Sequence, residues 1–151
     1  MASKAADGDT LPVGVLALQG DFVDHEAALQ RHGLRTRQVR TVADLNALGG
    51  LVLPGGESTT MLKLLDVDGL WEPLGVVLRS GLPVFATCAG MILLAEQVEN
   101  PVQRSYALLP ITVVRNGYGR QFHSGTFVLN SAGPTPLWAP QLFIIVFCSA
   151  T

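Results

Sequence analysis

Three times in the first ninety residues a short apolar run breaks at small or glycine residues and passes into a helical pattern. This repeat limits the possible fold more than any other feature of the chain. The runs are Val13 to Leu18, Leu51 to Leu53 and Val84 to Ala86. Each is continuously apolar rather than alternating, the mark of a strand buried on both faces of a parallel sheet. The first ends in Gln19-Gly20-Asp21, the second in Pro54-Gly55-Gly56-Glu57-Ser58-Thr59-Thr60, the third in Thr87-Cys88-Ala89-Gly90. Successive strand-to-helix crossovers predict an α/β protein, a mostly parallel sheet between two helical layers. Ligands of such sheets bind outside the carboxyl ends of the strands, so the loops at Gln19, Gly55-Gly56 and Cys88 are expected to converge.

The helices follow from spacing. Val23, Ala27, Ala28 and Leu29 predict a helix from about 24 to 32 with Gly33 as its C-cap, and the polar His25 and His32 read as surface positions. Neither histidine has a Cys or acidic partner at metal-ligand spacing, so no metal site is expected. An extended segment at about 35–39 and a short helix at about 42–48 come next. Met61, Leu62, Leu64 and Leu65 predict a helix capped by Ser58 or Thr59. A helix over 71–79 stops before Gly81, and the helix after Cys88 is expected to run to about Gln97. Beyond Asn100-Pro101 the pattern changes. Ile111 to Val114, the turn Arg115 to Arg120, and Phe127 to Leu129 predict a hairpin built onto the parallel core.

Composition narrows the function. A chain of 151 residues with 48% hydrophobic and 15% charged residues suits one well-buried domain. A net charge of −2 without a basic stripe, and 7% aromatic residues, argue against a nucleic-acid partner. The apolar run from Leu142 to Cys148 is far shorter than the roughly 20 residues that span a bilayer, so no membrane anchor is expected. Residues 1–10 are polar and read as a disordered leader, without the apolar core of a signal peptide. Two cysteines far apart, with no secretory signal, point to a reducing compartment, the cytoplasm. The reading divides the chain into this leader, a domain over 11–132, and an atypical Pro-rich, then apolar, segment over 133–151.

Cys88 stands where a strand bends into a helix, the geometry that presents a nucleophile. The unpaired N–H groups of a helix start favour a thiolate there. The same position also suits a buried structural cysteine, since free Cys is among the most buried residue types. The Gly55-Gly56 turn matches neither nucleotide-binding motif: it lacks the lysine of Gly-x-x-x-x-Gly-Lys-Ser/Thr and the spacing of Gly-x-Gly-x-x-Gly. Its outward N–H groups suit an oxyanion or an amide, or the glycines serve only a tight turn. Arg115 has the planar fork that holds a carboxylate, and equally the turn-side setting of an ordinary surface arginine.

Four strings carry a resemblance: Gly14 to Gly20 (Gly-Val-Leu-Ala-Leu-Gln-Gly), Leu53 to Met61 (Leu-Pro-Gly-Gly-Glu-Ser-Thr-Thr-Met), Thr87-Cys88-Ala89-Gly90, and Val114 to Gln121 (Val-Arg-Asn-Gly-Tyr-Gly-Arg-Gln). With them, over residues 13 to about 121, the chain resembles the glutaminase subunit of pyridoxal 5'-phosphate synthase, a class I glutamine amidotransferase family with a flavodoxin-like fold. The resemblance implies hydrolysis of L-glutamine to glutamate and ammonia through a Cys88 thioester, without a cofactor, and delivery of ammonia to a synthase subunit in vitamin B6 biosynthesis. It implies that Gly55, Gly56, Glu57, Ser58 and Arg115 bind substrate. It places Gln19 and Gly20 in the loop facing the synthase subunit.

The chain departs from the family in three places. Ala86 replaces a glycine, and His123-Ser124-Gly125-Thr126-Phe127 replaces Ser-Phe-Glu-Ala. The family's later His-Pro-Glu segment has no counterpart in these 151 residues. The resemblance therefore implies a C-terminally shortened form, with a fold incomplete at that end and Cys88 without its general base. His123 has no adjacent carboxylate to orient it as a substitute. A catalytically silent form that only binds the synthase subunit is the alternative.

Overall fold

The computed structural model describes residues 10–115 and the strand Leu142–Ile144. Residues 1–9 of the predicted leader over 1–10, the strand at Phe127 to Leu129, His123, and the rest of the segment over 133–151 lie outside the described residues.

Five strands form a parallel sheet: β1 (Val13–Leu16), β2 (Thr36–Val39), β3 (Gly50–Leu53), β4 (Val84–Ala86) and, at the edge, β7 (Leu142–Ile144), in the order β2-β1-β3-β4-β7. The continuous apolar runs are buried as the pattern required. Val15, Leu16 and Leu53 have no exposed surface, and Leu51 and Val52 almost none. β7 pairs with β4 so that Leu142 lies opposite Val84 and Ile144 opposite Ala86. The apolar stretch near the end of the chain thus supplies a fifth strand that the sequence reading did not assign.

Helix α1 (Phe22–Arg31) follows β1, and helices α2 (Ser58–Val67), α3 (Trp71–Arg79) and α4 (Ala89–Leu94) follow in turn. Met61, Leu65, Leu74 and Leu93 are fully buried and join Leu53, Val84 and Ala86 in one core cluster. On the α1 side the cover is thinner. None of the residues of α1 is fully buried, and beside it lies an apolar groove of about 740 Å³ lined by Ala28, Leu29, Leu51, Val84 and Phe85.

Four local expectations change. The stretch at 42–48 is a 3₁₀ turn over Val42–Leu45. The cap of α2 is Glu57, whose carboxylate accepts from the backbone N–H of Thr59 and Thr60; an acceptor one residue ahead of Ser58 satisfies two orphan donors at once. α4 stops at Leu94 instead of about Gln97, because the chain continues as β5 (Ala95–Glu99). The predicted hairpin strand is β6 (Leu109–Val114), and its partner is β5, in parallel, in a separate two-stranded sheet. Among the described residues no helix is long and apolar enough to cross a membrane.

Candidate active site

The strand-to-helix bend at Cys88 is as sharp as its sequence suggests. Cys88 has φ 42° and ψ −105°, a region that an L-residue occupies only when its surroundings enforce it, at a cost of about 1–3 kcal/mol. Backbone bonds on both sides supply that enforcement. The N–H of Thr87 donates to the Leu53 carbonyl at 3.0 Å, the N–H of Gly90 to the Thr87 carbonyl at 2.8 Å, and the N–H of Ile92 to the Cys88 carbonyl at 3.0 Å. Cys88 itself is half-buried. With six residues, α4 is a short dipole, so the bend rather than the helix charge is the dominant feature of the thiol's setting.

The glycine turn after β3 stands against this bend. A Cβ on Gly55 would lie 3.6 Å from the Cys88 Cβ and 3.0 Å from an Asp21 carboxylate oxygen. The absence of a side chain at Gly55 keeps open the space beside the thiol. The loop after β1 closes the third side. Asp21 donates its backbone N–H to the Gly55 carbonyl at 3.2 Å, and Gln19 Oε1 accepts from the N–H of Glu57 at 3.2 Å. Gly20 (φ 82°) and Gly56 (φ 144°) are both required here: a Cβ on the first would fall 1.9 Å from the Gly55 carbonyl oxygen, and on the second 2.5 Å from the Gln19 amide. The three loops therefore converge at the carboxyl edge of the sheet. Gln19 is half-buried, its amide turned onto the Gly56-Glu57 turn, while Gly20 is exposed.

Beyond the turn lies a polar network. The Arg115 guanidinium reaches Glu57 Oε1 at 3.5 Å, Thr59 Oγ1 at 3.3 Å and Gln103 Oε1 at 3.0 Å. The same Gln103 oxygen accepts from the buried hydroxyl of Ser58 at 2.9 Å. Arg115 arrives there because its N–H continues the β5–β6 ladder to the Glu99 carbonyl. Burial opposes ionisation of Glu57, but donors on Thr59 and Thr60 outweigh it and draw its pKa down to about 2. Glu57 is thus a fixed negative charge, and Arg115, with only 16% of its side chain exposed, a fixed positive one.

Two residues that the sequence reading did not place at a site, His25 and Gln103, belong to this region. His25 is half-buried rather than at the surface, stacked edge-on to Phe85 at 5.9 Å, with Nε2 3.2 Å from Thr87 Oγ1. Burial lowers its pKa, and the nearby Asp21 and Asp24 only partly offset this, which favours the neutral ring. His32 is exposed as expected. Gln103 lies in an irregular stretch with no motif to mark it; only the fold joins it to Ser58 and Arg115. Among the described residues no group of three or more His, Cys, Asp or Glu side chains is placed to hold a metal.

Fold and site together define a glutamine amidotransferase-like α/β domain with a cysteine at a strained elbow. The SNO glutamine amidotransferase family model matches residues 15–133. Over 112 residues the chain is 54% identical to the pyridoxal 5'-phosphate synthase subunit PdxT of Solibacter usitatus, covering 74% of this chain and 58% of that relative. It is 49% identical over 128 residues to PdxT of Deinococcus radiodurans, covering 82% and 65%. A crystal structure of a glutamine amidotransferase superposes with a TM-score of 0.65 at 43% identity, covering 72% of this chain and 59% of the other. The chain belongs to the SNO glutamine amidotransferase family, and it spans less than two thirds of the length of these relatives.

Proposed function

We propose that this chain carries the glutamine-binding half of a glutaminase that hydrolyses L-glutamine to glutamate and ammonia, acting with a pyridoxal 5'-phosphate synthase subunit in the cytoplasm. The observation that carries the reading is the approach of the side-chain-free Gly55 to the Cys88 elbow, where a Cβ on Gly55 would lie 3.6 Å from the Cys88 Cβ. Attack of the Cys88 thiolate on the glutamine amide carbon gives a tetrahedral oxyanion, which backbone N–H groups of the Gly55-Gly56 turn and of the residue after Cys88 stabilise. The C–N bond then breaks, the nitrogen takes a proton, and ammonia leaves. Water hydrolyses the thioester, releasing glutamate and restoring the thiol. Arg115 binds the α-carboxylate of glutamine as a planar fork, with Glu57 and Ser58 beside it.

The proton transfers need a base. A triad member that supplies it is worth on the order of 10⁴ to 10⁶ in rate. The alternative reading is a silent form that retains docking on the synthase subunit through the Gln19-Gly20 loop. Ammonia release in the presence of the synthase subunit separates the two. Release abolished by Cys88→Ala establishes the glutaminase, whereas binding of the synthase subunit without release establishes the silent form.

A further inference from the structure

His25 is the one described histidine drawn into the fold, and the mechanism does not use it. Its Nε2 is 3.2 Å from Thr87 Oγ1, its ring is held edge-on by Phe85, and Thr87 is buried to 7% exposure. Thr87 directly precedes the strained Cys88. It also faces the glycine turn, since its Oγ1 is 3.7 Å from where a Gly55 Cβ would stand. A hydrogen bond from α1 therefore ends on the residue that sets the entry angle of the elbow, from the side of the sheet opposite α2, α3 and α4.

We infer that His25 is a positioning residue for Cys88, acting through the Thr87 hydroxyl to hold the elbow in its reactive geometry. The inference rests on the reading of Cys88 as the nucleophile. The physical argument is one of constraint. The backbone at φ 42° relaxes unless it is over-determined, and the described backbone bonds at the bend all run along β3, β4 and α4. The His25–Thr87 bond adds a restraint from a different element. The imidazole suits this role because in the neutral ring one nitrogen donates and the other accepts, and the hydroxyl adapts to either. The charged groups acting on the ring are Asp21 and Asp24. The side chains against it, Phe85 in β4 and Thr87 just after β4, are neutral, and His32 lines the same groove.

The test is the rate of Cys88 carbamidomethylation by iodoacetamide across pH 5.5 to 9, read by peptide mass spectrometry so that Cys148 is counted separately. Iodoacetamide requires no glutamine recognition, so the result stands whether or not the chain releases ammonia. Thermal unfolding of every variant reports whether it is folded. His25→Ala and Thr87→Val are each expected to change the Cys88 rate at pH 7 by about 2- to 10-fold, the range of one hydrogen bond, and to shift the pH profile. The double variant should change it no further than the larger single effect. His25→Gln, which retains a donor near the Nε2 position, and Thr87→Ser should keep the wild-type profile. An unchanged profile in folded His25→Ala overturns the inference, as do single effects that multiply in the double variant.

Discussion

Gly90 has no room for a side chain because the carbonyl oxygen of Leu53 occupies its place: a Cβ there would lie 2.2 Å from that oxygen and 2.7 Å from the carbonyl carbon. Both neighbours are backbone at the end of a central strand, so neither can turn aside. Gly90→Ala should therefore push α4 off β3, costing about 1–3 kcal/mol as other overpacked sites do. Urea unfolding measures this. Gly33→Ala, where no atom lies within 4 Å and only φ 75° is unfavourable, should cost less.

Strain at Cys88 predicts a trade between stability and reactivity. Cys88→Gly relieves a φ of 42° that glycine adopts freely. It should leave stability unchanged or raise it by about 1 kcal/mol, and it removes the thiol. The urea midpoint should hold or rise in the variant, while labelling by a glutamine-analogue electrophile at this site is lost.

Arg115 is held by Glu57, Thr59 and Gln103 before any substrate arrives. Under the proposed function, Arg115→Ala should weaken glutamine protection of Cys88 against alkylation by about tenfold or more. Arg115→Lys should not restore it, because an ammonium lacks the planar fork. The concentration of glutamine that halves the alkylation rate is the measurement.

Glu57 sets an acid limit. Its folded pKa is about 2, against an ordinary value of 4.5. Between these values the unfolded state binds more protons, so the contribution of Glu57 to stability is fully present above about pH 4.5 and is lost as pH falls toward 2. In urea unfolding from pH 6 down to 2, wild type should lose stability more steeply than Glu57→Gln. The side chain is 54% exposed, so solvent screening keeps the difference small.

Much of this was legible from spacing. The helix over Trp71–Arg79 coincides with its predicted limits, and the three apolar runs became three adjacent parallel strands because continuous burial on both faces leaves few alternatives. Convergence of the Gln19, Gly55 and Cys88 loops followed from topology. What escaped was what depends on distant partners. Ala95 continues the apolar pattern of α4, yet it pairs with Leu109 in β5–β6. His25 looked solvated because its partner Thr87 lies 62 residues away. Gln103 has no local signature at all. Glu57 was read for its resemblance-implied contact with substrate, which masked its simpler role as a helix cap.

The groove beside α1 has a thermodynamic consequence. Its open walls, Ala28, Leu29, Leu34 and Phe85, meet solvent before unfolding begins, so that part of the apolar surface contributes nothing when the chain opens. The heat capacity increment and the denaturant sensitivity of unfolding both scale with newly exposed surface. For the described residues both should fall below the values typical of a closed domain of equal length, flattening the stability curve with temperature.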